Sequence, residues 1–527
     1  MGHVIGIDLG TTNSCVAYLE GKEGRVIHNL EGMSTTPSVV SFTRSSEELI
    51  GNLALRQAIT NPENTVFAVK RLMGKKFNSE SVQEISQKIP YRLTGALNGD
   101  VMIDLSSKLI SPQEISAMII KYLKKCAESY FGEKVEETII TVPAHFNDHQ
   151  RQATKDAAKI AGLRVLRVIN EPTSACLAYG LNEKKSGNIA VYDIGGGTFD
   201  ISILEVSEGV FNVLATNGDT FLGGEDFDAR IVDWLIDRFQ KKQKVDISED
   251  KFALQRIKEA AEKAKKELSF TLETEINLPF ITSYGSESKH LKETLSRRDF
   301  EELTKDLVQK TIPYIEEALS ECGLNPENID EVLLVGGQGR MPLIKKMTSD
   351  YFKKDSVENL NPDEVVAVGA AIQSGILEGE MKDLILLLDV TPLSLGIETE
   401  NDTFSPIIPK NTTIPTKITT SFTTVENNQR RVRIHVLQGE NPKASLNTSL
   451  AVFDLVGIES APAGVPQIDV HFEIDGDGIV RVSAVDSATQ RKQGVKVNPS
   501  SGLKQKEINK IIKREQAQNA RVSEYEE

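Results

Sequence analysis

The chain has 527 residues (58.0 kDa), with 61 Lys+Arg against 76 Asp+Glu, a formal net charge of −15. With 26% charged and 39% hydrophobic residues it has the composition of a globular protein, which excludes collagen-like and disordered chains; the acidic balance excludes a generally basic surface for nucleic acid or anionic membrane. Length alone sets a prior of about three or four domains, each with its own core.

No basic stretch leading into an apolar core opens the chain, and no run approaches the ~20 apolar residues of a membrane helix, so a cytoplasmic protein is expected. The four cysteines, Cys15, Cys126, Cys176 and Cys322, make no CxxC pair, and His and Cys nowhere combine at metal-ligand spacing. Reduced thiols and no zinc site are expected. Sequons at Asn411 and Asn447, lacking a secretory signal, read as chance.

Residues 1 to about 383 alternate short β-branched runs with longer helical patterns, the signature of an α/β domain. The first run, Ile5-Gly6-Ile7-Asp8, enters Leu9-Gly10-Thr11-Thr12-Asn13: a buried strand, an Asp, then a Gly/Thr turn. Ser111-Pro112-Gln113-Glu114 is a capping box with Pro at the first helical position, and Ile115, Met118, Ile119, Tyr122, Leu123 and Cys126 then form one apolar helical face. Val191-Tyr192-Asp193-Ile194-Gly195-Gly196-Gly197-Thr198-Phe199-Asp200 repeats the opening pattern. Leu254, Ile257, Ala261, Ala264 and Leu268 are the apolar stripe of a later helix whose other face carries Glu262, Lys265, Lys266 and, just beyond, Ser269.

An apolar run, Leu384 to Val390, follows a charged segment. From about residue 391 the period changes to two: Val432, Ile434 and Val436 interleave with Arg431, Arg433 and His435, and Ile468, Val470, Phe472 and Ile474 precede an Asp475-Gly476-Asp477-Gly478 turn. This predicts a compact, mostly antiparallel β domain. Leu503 to Glu527, rich in Lys, Glu and Gln with Ile508, Ile511 and Ile512, begins a helix.

The chemistry lies in the repeated Asp-Gly-Thr unit. No GxxxxGK[ST] loop is present, and Gly337-Gln338-Gly339-Arg340-Met341-Pro342 stops short of GxGxxG. Glycines let backbone N–H groups approach phosphate oxygens, Thr hydroxyls add donors, and an Asp at a strand end can hold Mg²⁺ through its waters. One such turn is most often only a turn; two, in opposite halves, favour clamping of one polyphosphate.

These motifs, with Phe67 to Gly74, Thr141 to Asp148, Ile169 to Thr173, Leu334 to Gly337 and Leu386 to Glu398, resemble the actin, sugar kinase and 70-kDa heat-shock ATPase superfamily. Within it the chain resembles the Hsp70 chaperones, closest to their bacterial members, over essentially its whole length. The resemblance implies a two-lobed, actin-like (ribonuclease H-like) α/β ATPase domain over 1–383 and a hydrophobic linker over 384–390. An all-β peptide-binding sandwich over 391–503 follows, then at 504–527 the start of a helical lid that is mostly missing.

It further implies that Asp8, Glu171 and Asp193 orient Mg²⁺ through waters, that Lys70 supplies positive charge near the γ-phosphate, and that Asp200 orders the attacking water. A lysine without context would simply be solvated. Gly10, Thr11, Thr12, Asn13, Gly195, Gly196, Gly197 and Thr198 would bind phosphates, Thr198 also serving catalysis. Glu262, Lys265, Lys266, Ser269, Gly336, Gly337, Gln338, Arg340 and Asp363 would hold the nucleoside of ATP or ADP, with K⁺ as an optional second ion.

Ile397, Phe422, Val432 and Ile434 would line a peptide pocket arched by Glu400 and Val425. Pro143, Arg151, Lys155, Arg167, Leu386, Leu387, Leu388, Asp389, Lys410 and Asp477 would couple the domains or dock a J-domain co-chaperone. The other partners implied are unfolded clients and a GrpE-type exchange factor, in a stress-response role without nucleic acid or membrane. The sequence departs from the family at Gly339, where Thr is expected, at Glu400-Asn401 for Met-Gly, at Val425 for Ala, and in a linker one residue longer. The alternatives of the same fold are a small-molecule kinase and a filament former; the β domain after a Leu-rich linker favours a peptide-binding chaperone.

Overall fold

The computed structural model describes residues 3–514 apart from 46, 106–107, 184–185, 285–286, 358–359, 382–384, 497–502 and 504. Among the described residues, two mixed sheets with helices packed against each, and a sandwich of two antiparallel sheets, form the bulk of the molecule, with three smaller sheets of two or three strands beside them. In the first sheet, β1 (Val4–Asp8) and β2 (Asn13–Glu20) form an antiparallel hairpin with Asp8 opposite Cys15. Further along the chain is α1 (Pro112–Phe131), whose capping box forms as its sequence predicts: the Ser111 side chain accepts from Glu114 N–H while the Glu114 carboxylate accepts from Ser111 N–H at 3.0 Å. β3 (Glu137–Val142), α2 (Asp148–Ile160), β4 (Arg164–Asn170) and α3 (Glu171–Glu183) follow, giving the order β4-β3-β1-β2 with β1/β3 and β3/β4 parallel.

The second sheet repeats the opening device. β5 (Gly187–Ile194) and β6 (Phe199–Ser207) form a hairpin with Asp193 opposite Asp200, and β6 returns through β7 (Val210–Asp219). After α4 (Lys251–Leu268) and α5 (Ile312–Glu321), β8 (Glu331–Val335) adds in parallel to β5. α6 (Val365–Glu378) then packs against β1 and α3. The approach is close enough to require glycine at Gly369, where an added Cβ would stand 1.8 Å from the Ser174 carbonyl oxygen.

The apolar run after residue 384 is part of this sheet. β9 (Leu386–Val390) pairs in parallel with β7, Val210 opposite Leu386 and Asn212 opposite Leu388. Leu387 and Val390 are buried in the core between the two sheets with Phe211 and Val213, while Leu386 is 47% exposed. Residue 384 lies outside the described residues.

The sandwich comprises β10 (Leu395–Thr399), β11 (Thr403–Ile408), β12 (Thr413–Ile414), β13 (Thr416–Phe422), β14 (Arg431–Gln438), β15 (Thr448–Val456), β16 (Ile468–Ile474), β17 (Val480–Asp486) and β18 (Lys492–Lys496). Its layers are β11-β10-β14-β15 and β13-β16-β17-β18, both antiparallel as the period-two alternation predicts, and β12 pairs with β9. Residues 505–514 are helical, and Ile508 and Ile511 join the α1 core, with Arg514 paired to Glu114. Among the described residues no helix is long and apolar enough to cross a membrane.

Because backbone cannot yield as a flexible side chain does, Gly369→Ala is expected to lower the apparent Tm by about 5 °C or more in a thermal scan, whereas Ser111→Ala, losing one cap, should cost only about 1 kcal/mol.

Candidate functional site

The two hairpin turns face each other across a cavity of ≈ 380 Å³, within the usual range of ligand pockets. One hairpin contributes Asp8, Gly10, Thr11, Thr12 and Asn13, and the other Asp193, Gly195, Gly196 and Thr198. Lys70, Glu171, Glu262, Lys265, Lys266, Gly336, Gly337, Gln338, Arg340 and Asp363 complete the predicted set on its walls. Gly197, Asp200 and Ser269 are not on the wall. Gly197 lies beside it, its carbonyl accepting from Arg71 Nε at 3.1 Å, and Ser269 caps the C-terminus of α4. Asp200 is buried behind Asp193 and accepts from His145 N–H at 2.9 Å.

Lys70 is not solvated. It sits in a 3₁₀ turn at Val69–Leu72, 5% exposed, with Nζ 2.5 Å from Glu171 Oε1. Burial alone would lower its pKa, but Glu171, Asp8 and Asp193 outweigh that and hold it above the ordinary lysine value. Burial, and then the neighbouring Glu171, pushes Asp8 up to about 7 against the pull of Lys70; Asp200 likewise rises to about 7, and Asp193 lies well above its ordinary range. The cluster is short of positive charge. No three His, Cys, Asp or Glu among the described residues are placed to ligate a metal directly. Carboxylate oxygens such as these are hard donors of the kind that suit a divalent cation such as Mg²⁺.

Several residues that hold the site escaped the sequence reading. Arg71, next to Lys70 and buried, joins the halves by bonding Gly197 O and Asp226 Oδ2 (2.6 Å). Ser38 braces the first turn through Gly10 O (2.8 Å) and Thr12 O (2.8 Å). Thr35, Gly224, Phe270, Val335, Pro362 and Val366 also line the cavity. Arg71 and Val335 had a local signal, their places inside the Phe67 to Gly74 and Leu334 to Gly337 motifs.

A second cluster joins the mixed sheets to the sandwich. Asp389 accepts from Asn170 Nδ2 at 2.7 Å, and Arg151 donates to Asn170 Oδ1 (2.6 Å), Phe146 O (3.0 Å) and Ala144 O (3.1 Å). Asp477 takes Lys155 Nζ at 2.5 Å and Val168 N–H at 3.0 Å. Lys410 reaches Glu317 (3.1 Å) and Glu321 (2.9 Å) on α5. Pro143 is buried at the end of β3, and Arg167, half-buried on β4, is close enough to help stabilise the Asp389 carboxylate. Gln438 and Val480, unflagged in the sequence, bond Asp148 at the start of α2 (3.2 and 2.9 Å).

In the sandwich Ile397 and Ile434 are buried in its core, with Phe422 and Val432 half-buried against them. Glu400 and Val425 are exposed on loops beyond the β10 and β13 strand ends.

His149, 4% exposed on α2, gives this interface a pH signature. Its Nε2 has no hydrogen-bond partner. Burial and then, more weakly, Lys76 lower its pKa to about 4, against the pull of Leu450 backbone and of Asp100. If separation of the sandwich returns His149 to its ordinary 6.5, its protonation leaves seating unaffected above that value and weakens it as pH falls toward 4, by up to about tenfold at pH 5.5. Asp389, held above its ordinary range by burial, acts in the opposite direction. Hydrogen-exchange protection of the Leu386–Val390 amides, corrected for intrinsic rates, should therefore fall less between about pH 7.5 and 5.5 in His149→Gln than in the wild type.

A family model described as Hsp70 protein matches residues 4–527, both mixed sheets and the sandwich included. The chain belongs to the Hsp70 family.

Proposed function

We propose that this chaperone binds ATP in the cavity and couples its hydrolysis to the grip of the sandwich on extended apolar segments of unfolded proteins. The observation that carries the coupling is the Asn170-Glu171 pair. Asn170, ending β4, holds Asp389 of the linker strand, and Glu171, the next residue, holds Lys70 in the cavity. A shift in one is transmitted to the other across a single peptide unit.

In the cavity, glycine amides and the hydroxyls of Thr11, Thr12 and Thr198 hold the phosphates, and Glu262, Lys265, Lys266 and Arg340 face the nucleoside. Asp8, Glu171 and Asp193 would hold hydrated Mg²⁺, which neutralises phosphate charge when bound. Lys70 Nζ offsets charge on the anionic transition state, and Asp200, set behind Asp193 rather than on the wall, helps order the attacking water from there.

The seated arrangement is the weak-binding state. With Ile397 and Ile434 buried in the core, a client side chain enters only when the sandwich rearranges, and main-chain bonds to an extended segment then supply the grip. Glu400 on the rim favours clients with basic flanks. Hydrolysis releases the linker strand, and thermodynamic linkage makes client and nucleotide alter each other's affinity. A J-domain partner would act on the linker face, and an exchange factor would reset the cycle by opening the cavity.

Lys70→Ala is expected to retain ATP binding by calorimetry while single-turnover hydrolysis falls at least about 100-fold. Asp389→Asn is expected to leave unstimulated hydrolysis within about twofold of wild type but to remove its acceleration by an apolar peptide. Retained acceleration would overturn the coupling role.

A further inference from the structure

The cavity wall carries one aromatic side chain, Phe270, that no motif predicts. Apart from Phe270, Val335, Pro362 and Val366, every residue on that wall is polar, charged or glycine, and Val335 and Val366 are themselves at least nine-tenths buried. Phe270 is instead 78% exposed and belongs to none of the apolar core clusters among the described residues. An isolated exposed Phe on an outer surface needs no explanation; one lining a polar cavity puts an unpacked ring at its edge.

Its placement follows from helix periodicity. Phe270 N–H and Thr271 N–H both bond Glu267 O (2.9 and 2.8 Å), so the last turn of α4 runs past Leu268. Glu262, Lys266 and Phe270, spaced by four, therefore share one face, and all three line the cavity. With the two glycine turns and Lys70 taking the phosphates, this face is left for the rest of the nucleotide. Arg340, fixed by Asp363 (2.6 Å) and Asn361 (3.0 Å), lines the cavity as well. A ring face and a guanidinium plane both suit a flat heteroaromatic base.

We propose that Phe270 stacks on the base of the bound nucleotide and is a determinant of nucleotide residence and of base over bare polyphosphate. This rests on the reading of the cavity as a nucleotide site. Because the side chain is exposed, replacing it leaves the fold intact, and stacking makes a prediction that a merely structural role does not.

The test uses the full chain with ADP and with inorganic pyrophosphate as probes. Phe270→Ser is expected to speed ADP dissociation about tenfold and to leave pyrophosphate affinity within about twofold, while Phe270→Tyr keeps the wild-type ADP rate. An unchanged ADP rate in Phe270→Ser overturns the proposal. So does an equal loss for ADP and pyrophosphate, which would mean that the residue shapes the cavity rather than meeting the base. Wild-type protein that binds pyrophosphate but not ADP would instead overturn the nucleotide reading, and stacking with it.

Discussion

One ammonium group set among buried carboxylates governs this molecule. Lys70 pairs with Glu171 and lies within reach of Asp8 and Asp193, with Asp200 behind and Arg151 acting on Asp200 from the other side, and burial raises the cost of every negative charge there. Such a cluster is tolerable only if protons or a bound cation supply the missing charge. The architecture exists to keep it together: Asp8 and Asp193 end equivalent strands of two sheets, Glu171 begins the helix between them, and Lys70 hangs from a turn of the first half. Arg71, the next residue, pins that turn to the opposite hairpin. The charge problem and the joining of the halves share a solution.

The same economy extends outward. Asn170 and Glu171 divide their side chains between the linker strand and the cavity, and Arg151 orients Asn170 while collecting two backbone carbonyls of the segment between β3 and α2. None of these contacts is strong in isolation, since hydrogen bonds net about 1 kcal/mol each. Their effect is geometric: buried donors and acceptors that fit only one arrangement make that arrangement discrete.

What was legible in the sequence was local. The hairpins announced themselves because an Asp, glycines and Thr must be consecutive to make such a turn, and Ser111 with Glu114 announced a helix start for the same reason. The polar face of α4 was visible through its spacing, yet Phe270 was not, because a phenylalanine at a helix end reads as core until the structure shows nothing packed on it. Gln438 and Ser38 carry no signal at all: their partners lie hundreds or tens of residues away, and their roles follow from tertiary placement. Lys70 marks the boundary, since only its burial beside Glu171 separates it from a surface lysine.

Strand β9 has one more consequence. While it lies along β7, the second sheet continues through β12 into the sandwich, and the N–H and C=O groups of Val210 to Asn212 are paired on both sides. Its departure turns β7 into a bare edge above Phe211 and Val213, the kind of surface that recruits foreign strands. The segment is thus a cover strip: five residues keep an adhesive edge of the second sheet out of reach.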